Sequence, residues 1–324
     1  MKRSSVAGLL MVLATSAVAA TAAAPEDGEA QLKGLWDMIH QTSERLDRQN
    51  LTPELRGSGP YPARMELDLA LPNATIYRPA DMSTLGSKKL GVLIWGNGGC
   101  SNDGASARAH LAQIASYGYL VIAPGKPLTG PLPLPGAATP RPMTVSIKDL
   151  REALDWALSE NANTGSPYYG RIDPTQVAAA GHSCGGMLAI LLAQDPRIRT
   201  VMIHNSGIFP VLPDNPPLVM HRDRLRAIHT PVLLLVGGKS DVAWPVANEA
   251  FDAIEKQPVF FGSMNVGHEG TFALPHGGPM ADVAVAWMQW RLRNDDVAAR
   301  TFVGSRCTLC TNTSWIIRQK SIGR

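Results

Sequence analysis

The chain of 324 residues has no excess of charge of either sign; its formal net charge is +3. Removing residues 1–24 takes away Lys2 and Arg3 but no acid, which leaves +1. So balanced a surface has no general grip on a polyanion, and a dedicated nucleic-acid binder is excluded. After residue 24 no segment is apolar for long enough to cross a bilayer, so no stable membrane anchor is expected. No internal repeat of useful length is visible, which argues against solenoids and propellers. Cysteine is scarce, with only Cys100, Cys184, Cys307 and Cys310. Four is still an even number, enough for two disulfides in an oxidising compartment.

The N-terminus is distinctive. Lys2 and Arg3 precede the apolar run VAGLLMVLA at residues 6–14, and small residues follow as TSAVAATAAAP. That order is the layout of a secretory signal peptide, and the run is too short to span a membrane. Residues 1–24 therefore read as a signal with cleavage between Ala19 and Ala24, and the mature protein as secreted or periplasmic. Residues 25–60 read as a helical segment and a linker, with Trp36, Ile39 and Leu46 as an apolar stripe.

From residue 61 to 298 strands and helices alternate. MELDLA (65–70) has the period of a half-buried strand, and LGVLIWG (90–96) that of a strand buried on both faces. YLVIAPG (119–125), QVAAAGHS (176–183), TVMIHN (200–205), PVLLLVGG (231–238) and VFFGSMN (259–265) continue the series. Between them, helical spacing appears near 105–117, at 145–160, at 186–194, near 245–256 and at 282–294. A Pro-rich loop spans Pro127 to Pro142. The alternation predicts an α/β fold: a mostly parallel central sheet flanked by helices on both faces, with no insertion long enough for a large cap domain. In such sheets chemistry sits beyond the carboxyl ends of the strands.

The motif Gly181-His182-Ser183-Cys184-Gly185 lies at one such end, between an apolar strand and an apolar helix. It matches G-x-S-x-G, in which a sharp, strained turn pushes the serine out of the sheet. A serine hydroxyl needs a base to take its proton and an acid to orient that base. Asp241 follows the strand PVLLLVGG, where a carboxylate can reach inward; Asp214, Glu249 and Asp252 fall in a Pro-rich loop or within a helix. His268 follows VFFGSMN in a loop before the last helix, and His276 is the other histidine after the acid in chain order. An oxyanion hole would take one N–H from Cys184, after the nucleophile, and a second from the glycine-rich loop of IWGNGGC at 94–100.

These residues resemble the α/β-hydrolase superfamily over about residues 60–295. The resemblance is strongest to the branch of dienelactone hydrolases, platelet-activating-factor acetylhydrolases, chlorophyllases and cutinase-like bacterial polyester hydrolases. GHSCGG resembles that branch's nucleophile elbow, DVAWPV its acid loop and GHEGTF its histidine loop. The resemblance implies Ser183, Asp241 and His268 as catalytic residues and Gly99 as the second oxyanion donor, with Gly98 and Cys100 as neighbouring alternatives. Two positions depart from the pattern: Asn97 stands for the usual oxyanion-loop histidine, and Cys184 for the usual methionine or glutamine. Dienelactone hydrolases proper use a cysteine nucleophile, so Ser183 argues against that activity.

With Cys100 and Cys184 flanking the two oxyanion donors, a disulfide that clamps the hole is expected; two buried thiols are the other reading. Cys307 and Cys310 form a C-x-x-C in the tail, 299–324. No further zinc ligands stand near it and no thioredoxin-like pattern surrounds it, so a small structural disulfide is expected, with the tail packed through Trp315, Ile316 and Ile317. The apolar, Pro-rich stretch from Gly207 to Met220 reads as a short lid. Asn97, Phe209 and Trp244 are the candidates for substrate contact. The expected chemistry is two-step acyl transfer from a small or polymeric ester to water, with no metal or organic cofactor. The rivals are a serine peptidase or amidase of the same fold, a non-catalytic binding protein, and a thiol–disulfide protein acting through the tail cysteines.

Overall fold

The apolar runs of the sequence become the strands of one nine-stranded sheet. The computed structural model describes residues 33, 47, 48, 50–129, 144–210 and 220–323. The signal segment 1–24, the stripe of Trp36, Ile39 and Leu46, and most of both the Pro-rich loop and the proposed lid lie outside the described residues.

The strands are β1 (Ala63–Asp68), β2 (Leu71–Pro79), β3 (Leu90–Gly96), β4 (Tyr119–Pro124), β5 (Ile172–His182), β6 (Thr200–His204), β7 (Val232–Val236), β8 (Val259–Ser263) and β9 (Ile316–Lys320). Their order is β1-β2-β4-β3-β5-β6-β7-β8-β9. The six from β4 to β8 run parallel, while β1, β2 and β9 are antiparallel to their neighbours. The main helices are α1 (Arg108–Ala115), α2 (Ile147–Glu160), α3 (Cys184–Leu192), α4 (Trp244–Ala253) and α5 (Gly278–Arg293).

Side chains alternate along each strand, so one strand feeds two cores. Val92 and Ile94 of β3 join Leu154 of α2, Met187 of α3 and Phe251 of α4 on one face. Leu93 and Trp95 join Leu111 of α1 and Trp287 of α5 on the other. β3, β4, β7 and β8 are buried at every position, as their unbroken apolar runs require. The result is the open, mostly parallel sheet, covered by helices on both faces, that the alternation predicts.

Two strands escaped the sequence reading. β2, LPNATIYRP, is broken up by prolines and polar residues, and it is held by antiparallel pairing to β1 and β4. β9 comes from the tail and pairs with β8, with Ile317 opposite Gly262. The tail packing expected of three residues holds for two. Trp315 is buried and Ile317 packs against the core, but Ile316 is 58% exposed. A strand sends neighbouring side chains to opposite faces, so Ile316 and Ile317 cannot both point inward. The Cys307–Cys310 disulfide closes the turn before this strand.

Candidate active site

The register of the sheet sets up the site. Gly96 at the end of β3 lies beside Gly181 near the end of β5, and His182 lies beside His204 at the end of β6. The loops after β3, β5 and β6 therefore leave the sheet side by side.

The turn from β5 into α3 is tight. A Cβ at Gly181 would meet the Gly185 carbonyl oxygen at 2.2 Å, and one at Gly185 would meet the Gly96 carbonyl carbon at 2.1 Å. Only glycine lets strand and helix approach so closely. Between them Ser183 is held at φ 53° and ψ −122°, a strained conformation that points its side chain outward. Its N–H donates to the His204 carbonyl at 3.0 Å, and Ser206 Oγ donates to its carbonyl at 2.6 Å.

Ser183 Oγ lies 2.9 Å from His268 Nε2, and His268 Nδ1 lies 2.6 Å from Asp241 Oδ1. With Nδ1–H donating to the carboxylate, Nε2 is left as the acceptor for the serine proton. His276 is in a short turn at Pro275–Gly277, and its Nδ1 is buried with no hydrogen-bond partner among the described residues. The structure thus joins three of the sequence candidates into one chain of hydrogen bonds.

The acid is heavily held. Besides His268, Oδ1 accepts from Ala243 N at 2.8 Å; Oδ2 accepts from Gly237 N at 2.9 Å and Asn205 Nδ2 at 2.7 Å. Burial alone would raise the Asp241 pKa, but these donors outweigh it, His268 most, and hold it down at about 2. The bond to Asp241 raises His268 above its ordinary 6.5 against the opposing effect of burial.

Cys100 and Cys184 are bonded, with their Cα atoms 5.2 Å apart. The bridge ties the residue after the nucleophile to the loop after β3. In that loop the Cys100 N–H already donates to the Asn97 carbonyl at 3.1 Å, which leaves Gly98 and Gly99 as the candidates for the second oxyanion donor. Gly99 has φ +61° and open space where a Cβ would stand.

Three further placements bear on the candidates for substrate contact. Asn97 does not face a cleft; it is fully buried, and its amide donates to the Ser101 and Pro124 carbonyls at 2.8 and 2.6 Å. It braces the loop from within, because both amide protons find carbonyl partners below it. Trp244 opens α4, half-buried, with its ring edge-on to Phe261. Phe209 is half-buried against the same core cluster.

Two residues with no role in the sequence reading hold the site together. His182, the variable position of G-x-S-x-G, donates from Nε2 to the His268 carbonyl at 2.8 Å, and its ring lies 5.0 Å from that of His268. A Cβ at Gly98 would come within 2.5 Å of its Nδ1, so three loops meet on this one ring. Asn205 reaches Asp241 from the end of β6. An asparagine just past a strand was the only local signal for it.

No curated protein matches the chain. A family model described as PET hydrolase-like matches residues 72–319, which takes in every strand from β3 to β8 and all the site residues above. The chain belongs to this PET hydrolase-like family, a polyester hydrolase family of the α/β-hydrolase superfamily, and is accordingly an ester hydrolase.

Proposed function

We propose that the protein is an exported serine esterase that cleaves carboxylic esters, polyester chains among them, through an acyl-enzyme intermediate. The observation that carries this reading is the unbroken hydrogen-bonded chain Ser183–His268–Asp241 at the carboxyl ends of β5, β8 and β7.

In the first step His268 Nε2 takes the Ser183 proton as Oγ attacks the ester carbonyl. Asp241, ionised at any working pH, holds the imidazolium that forms. The negative charge on the carbonyl oxygen falls to the N–H groups of Cys184 and Gly99, and each such donor contributes about 3 kcal/mol to the transition state. The protonated His268 then gives its proton to the leaving alcohol. In the second step His268 takes a proton from water as it attacks the acyl-enzyme carbonyl, then returns that proton to Ser183 Oγ as the bond from Oγ to the acyl carbon breaks and the acid leaves. Residues 61–298 carry the catalytic residues in this reading, and β9 of the tail completes their sheet. Export is supported by the basic-then-apolar N-terminus and by two disulfides.

The test is labelling of the mature protein by a fluorophosphonate probe, with Ser183→Ala as control, alongside hydrolysis of short and long p-nitrophenyl esters and of a polyester film. Labelling at Ser183 with turnover is the expected result. A folded protein that neither labels nor hydrolyses any ester overturns the reading.

A further inference from the structure

Asn205 occupies a position with an unusual combination of demands. It is the residue after β6, fully buried, with φ +48°. That left-handed conformation is costly for most side chains; asparagine and glycine tolerate it best. Its own N–H donates to the Leu235 carbonyl of β7 at 2.7 Å, which anchors it between two strands.

From that anchor its amide nitrogen makes two bonds. One goes to Asp241 Oδ2 at 2.7 Å, the oxygen that His268 does not use. The other goes to the Gly267 carbonyl at 3.1 Å, the peptide immediately before His268. A single amide therefore grips the acid and the loop of the base together. The space around it is tight: a Cβ at Gly237 would lie 3.0 Å from Asn205 Nδ2, and one at Gly270 would lie 3.2 Å from its Oδ1.

A carboxylate with one oxygen free can swing about its Cβ–Cγ bond and lose alignment with the imidazole. Gly237 N–H and Asn205 Nδ2 on Oδ2 stop that rotation. The bond to Gly267 also fixes the depth of the histidine loop. We infer that Asn205 is a positioning residue of the hydrolytic reaction, one that aligns Asp241 and His268 by bonding both their loops at once. This inference rests on the triad reading proposed above.

The test uses the full mature chain and two variants. Asn205→Gly keeps the left-handed backbone at ease and removes both donors. Asn205→Asp keeps the shape but sets an oxygen where the amide nitrogen met the Asp241 carboxylate and the Gly267 carbonyl. Steady-state hydrolysis of p-nitrophenyl butyrate is measured for each, with the downfield proton resonance of the His268 Nδ1–H and the melting temperature. On the order of a tenfold to hundredfold loss of kcat is expected, the scale for a misaligned catalytic group. KM should stay within about twofold, since alignment of the base is used in the transition state and not in substrate binding. The Nδ1 resonance should shift or broaden in both variants. Folded variants with wild-type kcat and an unmoved resonance overturn the inference, as does a loss confined to KM. Should one variant fail to fold, the same two readouts on the other decide the matter. If the wild type itself does not react at Ser183, the triad reading fails by that separate result. The resonance still reports whether Asn205 holds the Asp241–His268 pair.

Discussion

His268 and the buried pair of His110 and His204 are joined through His182 and Phe272, and their chemistry runs in opposite directions. His268 has a carboxylate on one ring nitrogen and a serine on the other. His110 and His204 are wholly buried, and none of their four ring nitrogens has a hydrogen-bond partner among the described residues. Their rings meet edge to face at 5.0 Å, and both pack against Trp95 and Phe272. Burial pushes His110 down to about 3, aided by His182, and pushes His204 well below its ordinary 6.5, aided by His110 and His182. The bond to Asp241 pushes His268 up. The residue type does not set the role of a histidine here; the presence of an ionised partner does. His182 stands between His268 and the buried pair, its ring tilted against that of His268 and edge-on to Phe272, its pKa lowered by burial while Nε2 is hydrogen-bonded.

The hardest test of this contrast is substitution on each side of it. His268→Ala or Ser183→Ala should lower kcat by a factor on the order of 10⁶, as removal of a nucleophile or its base does in serine hydrolases. His110→Leu, outside the chain of donors, should leave kcat within about tenfold. A comparable loss in both variants would erase the distinction. Asp241→Asn comes next. It keeps the shape but removes the charge, and kcat should fall about 10⁴-fold.

The two disulfides extend the comparison to stability. Cys100–Cys184 closes a separation of 84 residues and Cys307–Cys310 one of 3. The chain-entropy relation gives about 4–5 kcal/mol for the long loop and about 2 kcal/mol for the short one. Paired Cys→Ala variants, unfolded in urea, should fall in that order, and only the first pair should also lower kcat, because it joins the two loops proposed to form the oxyanion hole. Equal kcat losses would detach the bridge from the hole.

pH sharpens the contrast further. His268 must be neutral to act as base, and its pKa is raised, so the acid limb of kcat/KM should lie above pH 6.5. An acid limb well below 6.5 would contradict the Asp241–His268 bond. Stability should follow the other group. A histidine whose folded pKa is depressed stabilises the fold at pH above 6.5 and loses that contribution as pH falls toward its folded value. Melting temperature should therefore drop between pH 6.5 and about 3, and His204→Leu should flatten that slope. The smallest effect belongs to His268, whose raised pKa contributes stability below pH 6.5 that fades as pH rises through its folded value.

Much of this site was legible in the chain because strand ends announce themselves. Ser183, Asp241 and His268 each follow an apolar run by a few residues, and the serine carries its flanking glycines with it. Asn97, by contrast, reads as a pocket residue only as long as the direction of its side chain is unknown. Its two carbonyl partners come from Ser101 and Pro124, and no local pattern reveals that the end of β4 lies beside this loop. The tail strand was hidden for a related reason: IIRQK has no distinctive period, and it becomes a strand by pairing with the free edge of β8.

By itself the sequence determined the alternation of strands and helices, the sheet class, and which residues stand just past the strand ends. These follow from hydrophobic period and glycine placement, which are local properties. Tertiary structure alone decided that Asn205 grips Asp241 and Gly267, that His182 braces His268, that Asn97 turns inward and that Ile316 stays exposed. Each of those outcomes depends on the order in which strands lie side by side. Hydrogen bonds of about 3 Å reach join residues 36 to 86 positions apart, and that order is set by the packing of the whole sheet.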